Sequence, residues 1–465
     1  MTRIDRHIPR SIVSGIGWPA MPDANAAGML ALQQQLAQSQ WWSPETLYAQ
    51  QQAQLAQVLT HALDTIPAYA QRFRAAGLAL RTPALLEAWQ AVPLLARREL
   101  RSAGETFMSR KVPPAHGSLS KVQTSGSTGT PITAYGTKVT ALFWRAFTLR
   151  EHLWQRRDLG GRFAAIRPEG TLQPGRGQRA VGWGPATDAV YATGESFALS
   201  SRTDIPTQAA WLQEVRPDYL LSLPSNLIAL ARHCRERGIA LPNLREVRSY
   251  GEVAGDELRQ TCRAVWGVAV KDAYSAQEVG YMALQCPEHE HYHVMSEGVL
   301  LEVLDTAGHA CAPGEIGRVV VTTLHNFAMP LIRYEIGDYA EVGAPCACGR
   351  GLPVIARVLG RHRNMLTFPD GRQAYPSFPA ELWDDIAPIR QLQLVQTALT
   401  QIMARLVVAR PLTAQETDTF ASRLQARLGY PFVIELRYQE DIPRSAGGKY
   451  EDFISEVASA GGAGA

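Results

Sequence analysis

The chain has 465 residues, of which 46% are hydrophobic and 19% are charged, so two or three domains with a large core are expected and wholesale disorder is not. Its net charge of +3, from 46 basic and 43 acidic residues, is too small to indicate nucleic acid as a partner. The sequence contains no run of 18 apolar residues, which a membrane span would need, and its basic N-terminus is not followed by the apolar segment of a secretory signal. A cytoplasmic location is therefore expected.

The N-terminal part of the chain is predicted to be helical. Residues 1–25 contain Pro, Gly and Asp without a clear period, which indicates a loose N-terminal arm. From Ala26 to Arg74, leucine and valine recur at helical spacings. Within this region Ser43 is the expected N-cap of a helix that has Pro44 at its first position. Helical segments are expected to continue from Leu85 to Arg101.

A loop rich in Gly, Ser and Thr follows, with the sequence Q-T-S-G-S-T-G-T-P-I-T-A-Y from Gln123 to Tyr135. Free backbone N–H groups and hydroxyls in such a loop can surround phosphate oxygens. Gly126 and Gly129 can adopt the positive φ that this wrapping requires. The loop is not a Walker A sequence, because no Gly-Lys-Ser/Thr follows. A flexible polar linker is the alternative interpretation.

The middle of the chain alternates between helical and strand patterns. A helix is predicted over Val139–Arg156, a strand over Arg162–Arg167 and a Gly/Pro-rich loop over Pro168–Gly184. The next predicted elements, in chain order, are a helix at Ala209–Val215, a strand at Tyr219–Leu223, a helix at Asn226–Arg237 and a strand at Glu246–Tyr250. This alternation predicts a parallel sheet covered by helices.

Polar residues lie at the ends of two predicted strands, in the segments Ser249–Glu252 and Asp272–Glu278. Open α/β sheets bind ligands beyond the carboxyl ends of their strands, so both segments are candidate site segments. Taken alone, Glu278 is also compatible with a carboxylate at the N-terminus of a helix.

An antiparallel β-unit is predicted after these segments. Residues alternate with period 2 over Val299–Val303 and Arg318–Thr322, next to the turns D-T-A-G and A-P-G-E-I-G. The unit leads into M-P-L-I-R-Y-E-I-G-D, which contains Arg333 and Asp338. A surface ion pair between these two residues is one interpretation of that segment.

Three cysteines and a group of histidines lie in C-P-E-H-E-H-Y-H and, sixty residues later, in C-A-C-G-R. Thiolate and imidazole are the usual ligands of tetrahedral zinc, and a C-x-C turn can supply two thiolates. If the two loops meet, Cys286, Cys346 and Cys348 with one histidine would form a closed, structural site. The alternative is surface histidines with buried free thiols, since a disulfide framework is not expected in a chain of this kind.

The C-terminal hundred residues mix strands and a helix, which predicts an α+β lobe. The predicted elements are strands at Leu392–Gln396, Ile402–Val408 and Phe432–Tyr438 and a helix at Ala414–Leu428. After them comes I-P-R-S-A-G-G-K-Y, in which Lys449 follows two glycines. A cation on such a flexible loop can enter a site and leave it again, although an isolated lysine in a glycine loop is usually solvated.

Several of these segments together resemble the motifs of the adenylate-forming superfamily of acyl-CoA synthetases, adenylation domains and luciferases. They are T-S-G-S-T-G-x-P, Y-S-A-Q-E, R-Y-E-I-G-D, G-R-H-R-N-M and P-R-S-A-G-G-K, in the expected order over nearly the whole chain. Ile132 replaces the lysine that commonly follows the proline, as in the phenylacetate–CoA ligase branch. Ser275, Gln277 and Asn364 depart from the usual motif residues.

The resemblance implies an α/β fold with two domains joined by a hinge. The large N-terminal domain, expected over residues 1–359, would have parallel sheets covered by helices plus a β-subdomain and would bind ATP and the acid. A small mobile α+β domain is expected over residues 360–458, with Asn364 in the hinge and a disordered tail over residues 459–465.

The resemblance also assigns roles to individual residues. The implied ATP contacts are Ser125, Gly126, Ser127, Thr128, Gly129, Gly251, Glu252, Tyr274, Arg333, Asp338 and Arg361. Lys449, Glu278 and Thr128 are implied to be catalytic: Glu278 would reach Mg²⁺, and Lys449 would neutralise charge during adenylation. Asp338 would accept hydrogen bonds from both ribose hydroxyls. His293 is the favoured fourth ligand of the structural zinc.

The implied activity is ATP-dependent conversion of a carboxylic acid, aromatic or arylacetic, to acyl-AMP, followed by transfer to CoA. The acid pocket is expected between Tyr135 and Trp144, around Ser249 to Gly251 and at Ala276. Alternatives are a stand-alone adenylating enzyme that passes the acyl group to an amine or carrier protein, and a nucleotide-binding protein without catalysis. A zinc hydrolase is disfavoured, because the closed cysteine site leaves no position for water. A homodimer is compatible with the sequence.

Overall fold

The computed structural model describes residues 8–443 and 450–457, apart from 124–131, 377, 379–381, 384 and 387. Its helices, with their bounds, are α1 (Ala24–Ser39), α2 (Pro44–Thr65), α3 (Pro67–Ala75), α4 (Thr82–Glu87), α5 (Arg97–Ala103), α6 (Lys138–Trp154), α7 (Ile205–Val215), α8 (Pro224–Arg237), α9 (Asp256–Trp266) and α10 (Ala414–Leu428). The hydroxyl of Ser43 accepts a hydrogen bond from the Thr46 N–H, and Pro44 is the first residue of α2, so the predicted cap is confirmed. None of the helices described is long and apolar enough to cross a membrane.

One large mixed sheet forms the framework of the first 361 residues. In order across this sheet, its strands are β12 (Val299–Leu304), β13 (Ile316–Thr323), β14 (Tyr334–Val342), β15 (Val354–Arg361), β11 (Tyr292–Val294), β10 (Gly280–Gln285), β9 (Ala269–Ala276), β8 (Glu246–Tyr250), β7 (Tyr219–Ser222), β4 (Phe163–Arg167), β6 (Glu195–Ser200) and β5 (Gln178–Val181), and β1 (Leu95–Ala96) pairs with β14. Strands β6, β4, β7, β8 and β9 are mutually parallel, as predicted from the alternation of helices and strands. Strands β12 and β13 form the predicted antiparallel unit, and β14 and β15 extend it.

Strand β5 lies in the segment that was predicted to be a loop, so this prediction is wrong. It pairs antiparallel with the edge strand β6. All four of its residues are exposed, so the strand has no buried face that would produce an alternating hydrophobic pattern. Its glycine- and proline-rich surroundings also favour a loop on sequence grounds.

Helices α7, α8 and α9 cover the parallel strands through a shared apolar core. Leu212, Leu230 and Leu258, one from each helix, are buried in the same cluster as Val247 of β8. Parallel strands covered in this way are buried on their faces, and their carboxyl ends meet at one edge of the sheet. Ser249, Tyr250 and the residues after them reach that edge.

A second sheet forms the C-terminal part of the chain. Its strands, in order across the sheet, are β20 (Val433–Tyr438), β19 (Gln401–Val408), β18 (Ile389–Ala398) and β21 (Phe453–Ser455). Two antiparallel strand pairs lie outside both sheets, namely β16 (Leu366–Thr367) with β17 (Gln373–Ala374) and, in the N-terminal part, β2 (Leu119–Gln123) with β3 (Thr133–Thr137). Helix α10 contributes Phe420 and Leu424 to the core of this sheet. The mixed α/β fold with a large sheet and a smaller α+β part confirms the predicted fold class.

Candidate functional site

A cavity of about 2080 Å³ lies at the carboxyl ends of the parallel strands. Residues of both sheets line it, including Tyr450 and Phe453 from the C-terminal part. The predicted site residues on its walls are Gly251, Glu252, Tyr274, Glu278, Asp338, Arg361 and Asn364. The sequence motifs that carry these residues, up to about 110 positions apart along the chain, are therefore brought to one cavity.

Tyr274, Asp338 and Arg361 form a chain of polar contacts in this cavity. The Tyr274 hydroxyl donates to Asp338 Oδ2 over 2.9 Å, and Arg361 Nε lies 3.6 Å from Asp338 Oδ1. Burial raises the pKa of Tyr274 well above its ordinary value, so its O–H remains a donor at neutral pH. Asp338 and Arg361 face each other on β14 and β15. The Asp338 carboxylate is therefore held in place beside open volume.

Glu278 is buried on another part of the wall. Its Oε1 accepts hydrogen bonds from Arg97 Nη1 at 2.7 Å and from the Tyr334 hydroxyl at 3.2 Å. Its Oε2 has no partner within the part of the chain that the structure describes. Carboxylate oxygens are the ligands that Mg²⁺ prefers, so Glu278 fits a magnesium ligand through Oε2. Sequence reasoning missed Arg97, since it precedes Glu278 by 181 positions.

Gly251 and Glu252 form the turn that follows β8. Gly251 has a φ of 77°, which favours glycine. Glu252 Oε2 accepts from the Ser225 N–H at 2.8 Å, at the start of α8, and Oε1 accepts from the Ser225 hydroxyl at 3.1 Å. The Tyr450 N–H also donates to Oε1, at 2.7 Å. Glu252 therefore connects the start of α8 to the C-terminal part of the chain.

Arg333 does not lie on the cavity wall, contrary to the expectation that it contacts ATP. Its side chain is buried, and its Nη1 donates to the backbone carbonyls of Trp89, Gln90 and Val92 at 2.7 to 3.1 Å. Its Nη2 forms an ion pair with Glu302 at 3.2 Å. The guanidinium is thus committed to the core. The remaining predicted residues Ser125, Gly126, Ser127, Thr128, Gly129 and Lys449 lie outside the described residues.

One end of the cavity is lined with aromatic side chains. The rings of Trp144 and Tyr281 lie 5.1 Å apart, and those of Phe163 and Trp183 lie 5.2 Å apart. Five residues from the segments expected to form the acid pocket also line the cavity, namely Ala141, Trp144, Tyr250, Gly251 and Ala276. Trp183, Phe163 and Tyr281 were missed, because nothing in the local sequence distinguishes them from core aromatics.

Cys286, His293, Cys346 and Cys348 form a separate cluster in which the four ligand atoms lie within 4.8 Å of one another. The sulfurs of Cys286 and Cys346 are 3.9 Å apart, and Cys348 Sγ is 3.4 Å from His293 Nε2. Ligands of one tetrahedral zinc ion are about 3.5–3.8 Å apart, given Zn–S and Zn–N bonds of about 2.3 and 2.0 Å. The donor set and its spacing therefore fit a tetrahedral metal.

His293 is suited to be a metal ligand by its surroundings. It is fully buried, and burial lowers its pKa to about 4, so the ring is neutral at physiological pH. Its other nitrogen, Nδ1, faces the carbonyl of Leu352 at 3.5 Å, which is the usual position for a group that orients a ligating imidazole. His289 and His291, the other two candidates, lie outside the group of four.

Comparison with known proteins finds relatives among the phenylacetate–coenzyme A ligases. Over 412 residues the chain is 26% identical to a phenylacetate–coenzyme A ligase of Thermus thermophilus, covering 84% of each chain. Over 366 residues it is 24% identical to a phenylacetate–coenzyme A ligase of Pseudomonas putida, covering 75% of this chain and 77% of that protein. The chain is related to the phenylacetate–CoA ligases. The resemblance inferred from the sequence motifs is thereby confirmed, and residues 372–456 also match the CapK C-terminal domain family.

Solved structures show the same fold in adenylate-forming CoA ligases. A 2-hydroxyisobutyryl-CoA ligase in its postadenylation state has a TM-score of 0.68 at 20% identity, covering 87% of this chain and 89% of that one. An anthranilate CoA ligase in complex with anthranoyl-AMP has a TM-score of 0.52 at 18% identity, covering 71% of this chain and 64% of that one. The chain therefore has the same fold as these CoA ligases.

Proposed function

We propose that this phenylacetate–CoA ligase-like chain is an AMP-forming acid–thiol ligase that activates an aromatic or arylacetic acid with ATP and transfers it to CoA. The observation that carries the proposal is the single cavity that joins Tyr274, Glu278 and Asp338 to an aromatic end. The curated relatives are named as CoA ligases, and two of the related structures hold acyl-AMP intermediates.

In the first half-reaction the acid carboxylate attacks the α-phosphorus of ATP, and pyrophosphate leaves. Asp338, held by Tyr274 and Arg361, would accept hydrogen bonds from both ribose hydroxyls of the nucleotide. Gly251 would lie beside the adenine. Magnesium would be held by Glu278 Oε2 and would neutralise phosphate charge. The Gly/Ser/Thr loop Ser125–Gly129 would contribute N–H donors. The role of these side chains is positioning and charge neutralisation.

Lys449 and the hinge serve the change between the half-reactions. We assign the large domain to residues 1–359 and the small domain to 360–458. Lys449 would neutralise the α-phosphate during adenylation and withdraw when the small domain rotates. Asn364 accepts a hydrogen bond from the Arg361 N–H at 3.2 Å and donates to the Phe453 carbonyl at 2.7 Å. It therefore joins the end of β15 to the small sheet at the position assigned to the hinge.

The cluster of Cys286, His293, Cys346 and Cys348 is proposed as a structural zinc site. A closed set of three thiolates and one imidazole leaves no position for water, so the ion would stabilise the fold and take no part in catalysis. It would tie the β10–β11 loop, which contains Cys286, to the C-x-C turn before β15. The proposed location of the enzyme is the cytoplasm, where cysteines remain reduced.

Pyrophosphate release with ATP, magnesium and a panel of carboxylic acids, with and without CoA, tests the proposal. Release that requires an aromatic acid and is accelerated by CoA is the expected result. Release without a CoA effect would instead support an amine or a carrier protein as the acceptor. If no acid gives release although ATP binds, a nucleotide-binding protein without catalysis would replace the proposed function.

A further inference from the structure

A buried charge network lies at the aromatic end of the cavity. Arg157 donates to Glu151 at 3.0 Å and to Glu246 at 2.6 Å. Arg248 forms an ion pair with the other oxygen of Glu151 and donates to the Tyr281 hydroxyl at 3.1 Å. The network has two guanidinium groups and two carboxylates, so its charges cancel.

Arg248 is the member of this network that lines the cavity. It is only 8% exposed, and both of its contacts use Nη2. Neither Nε nor Nη1 donates to any atom that the structure describes, and Nε is fully buried. Nε is not accessible from the cavity, whereas Nη1 is not fully buried, so an acceptor on a bound molecule would pair with Nη1.

The position of Arg248 on β8 separates it from the proposed reaction centre. Arg248 precedes Tyr250 by two residues, so the two side chains leave the same face of the strand, with Arg248 about 6.6 Å further from the carboxyl edge. The contacts of Asp338 and Glu278 are with residues outside the network, whereas Tyr281 bonds to Arg248 and Trp144 packs against Tyr281. A group that reaches Arg248 therefore belongs to the far end of the acid.

We propose that the acid substrate has an aromatic body and carries a neutral oxygen acceptor, a hydroxyl, ether or carbonyl oxygen, at the end remote from the reacting carboxylate. Arg248 donates to this oxygen, and the rings of Trp144 and Trp183 enclose the body. A second carboxylate does not fit, because Glu151 already neutralises Arg248 and the extra charge would be buried without a partner. This inference rests on the proposed ligase function and names the substrate class of the same site.

The test compares matched acids in the pyrophosphate-release assay: phenylacetate with 4-hydroxyphenylacetate, and benzoate with 4-hydroxybenzoate and 4-carboxybenzoate. We expect kcat/KM to favour the hydroxylated acid by about tenfold or more in at least one pair, because hydrogen bonds to charged groups contribute that much. In Arg248→Lys, which keeps the charge opposite Glu151 but loses the fork of donors, the ratio should fall to about twofold or less. Arg179→Lys, an exposed position outside the cavity wall, is the matched control and should keep the wild-type ratio.

Quenching of tryptophan fluorescence by the same acids gives a second readout that does not depend on turnover. Equal activity with plain and hydroxylated acids in both pairs overturns the inference and leaves the ligase function intact. A preference for the dicarboxylic acid, or a hydroxyl preference that persists in Arg248→Lys, also overturns it. If none of the acids causes pyrophosphate release or fluorescence quenching, the proposed function is overturned, and this inference is overturned with it. The wild-type ratio requires no variant, so a folding defect in Arg248→Lys cannot conceal the answer.

Discussion

Replacing Arg333 by methionine distinguishes a structural from a nucleotide-binding role for this residue. The substitution keeps an unbranched apolar side chain of similar length but removes the guanidinium. Three backbone carbonyls, those of Trp89, Gln90 and Val92, lose their donor, and Glu302 loses its buried cation. Removing one partner of a buried ion pair typically costs about 3–5 kcal/mol, so we expect a large fall in stability.

The loss should depend on pH in a direction fixed by Glu302. Burial already raises the pKa of Glu302 in spite of Arg333, and removal of the cation raises this pKa further. A carboxyl group whose pKa is higher in the folded state than in the unfolded state stabilises the fold at a pH below its unfolded pKa. This stabilisation is lost as the pH rises from the unfolded pKa through the folded pKa. The variant should therefore be less destabilised at pH 5 than at pH 8. Adding Glu302→Gln should restore part of the stability at pH 8.

Urea unfolding followed by tryptophan fluorescence at the two pH values measures these effects, and initial rates give the KM for ATP of the folded variant. We expect a lower midpoint in urea and a KM for ATP within about twofold of wild type, because Arg333 does not line the cavity. A variant of normal stability with a strongly raised KM for ATP would refute the reasoning and support a role for Arg333 in binding ATP.

Three other predictions concern the proposed chemistry and the metal. Tyr274→Phe removes the hydrogen bond to Asp338 but keeps the ring, so kcat/KM for ATP should fall by about tenfold, and an unchanged value would show that Asp338 needs no such support. Cys346→Ser should lower the zinc content of the purified protein from one equivalent to well below one, together with its thermal midpoint, whereas a wild-type protein without zinc would exclude the site. Lys449→Ala should strongly reduce formation of acyl-AMP while leaving thiolysis of supplied acyl-AMP largely intact, and equal loss of both half-reactions would contradict the proposed role.

Much of the site could be predicted because its residues follow strands in recognisable segments. The order of helices and strands placed Tyr274 and Glu278 near the carboxyl edge of the parallel strands, whereas Asp338 was assigned through the resemblance of its motif. Each lies in a short motif whose spacing is fixed by a turn. The three cysteines of the Cys/His cluster were likewise predictable from the sequence, whereas its pattern left three histidines open and the resemblance favoured His293.

Other contacts depend on long-range packing, which no local sequence pattern predicts. Arg97 reaches Glu278 from a different part of the chain, and Arg248 faces the cavity because β8 lies between β7 and β9. Arg333 was misplaced although its motif was recognised. It immediately precedes β14 and so lies outside the strand that carries Asp338. Its φ of 46° lies in the left-handed region at the start of β14, where the chain turns.

The carboxylate of Glu252 determines what a departure of the C-terminal part would disturb. The Tyr450 N–H and the Ser225 hydroxyl share Oε1, while the Ser225 N–H holds Oε2. If the C-terminal part moves away, Oε1 loses the Tyr450 N–H, whereas the two hydrogen bonds from Ser225 do not depend on that part. The first turn of α8 therefore keeps its contact with Glu252. The two parts are thus in contact through an atom that also accepts a hydrogen bond from Ser225, so a departure of the C-terminal part would leave the link between Glu252 and α8 in place.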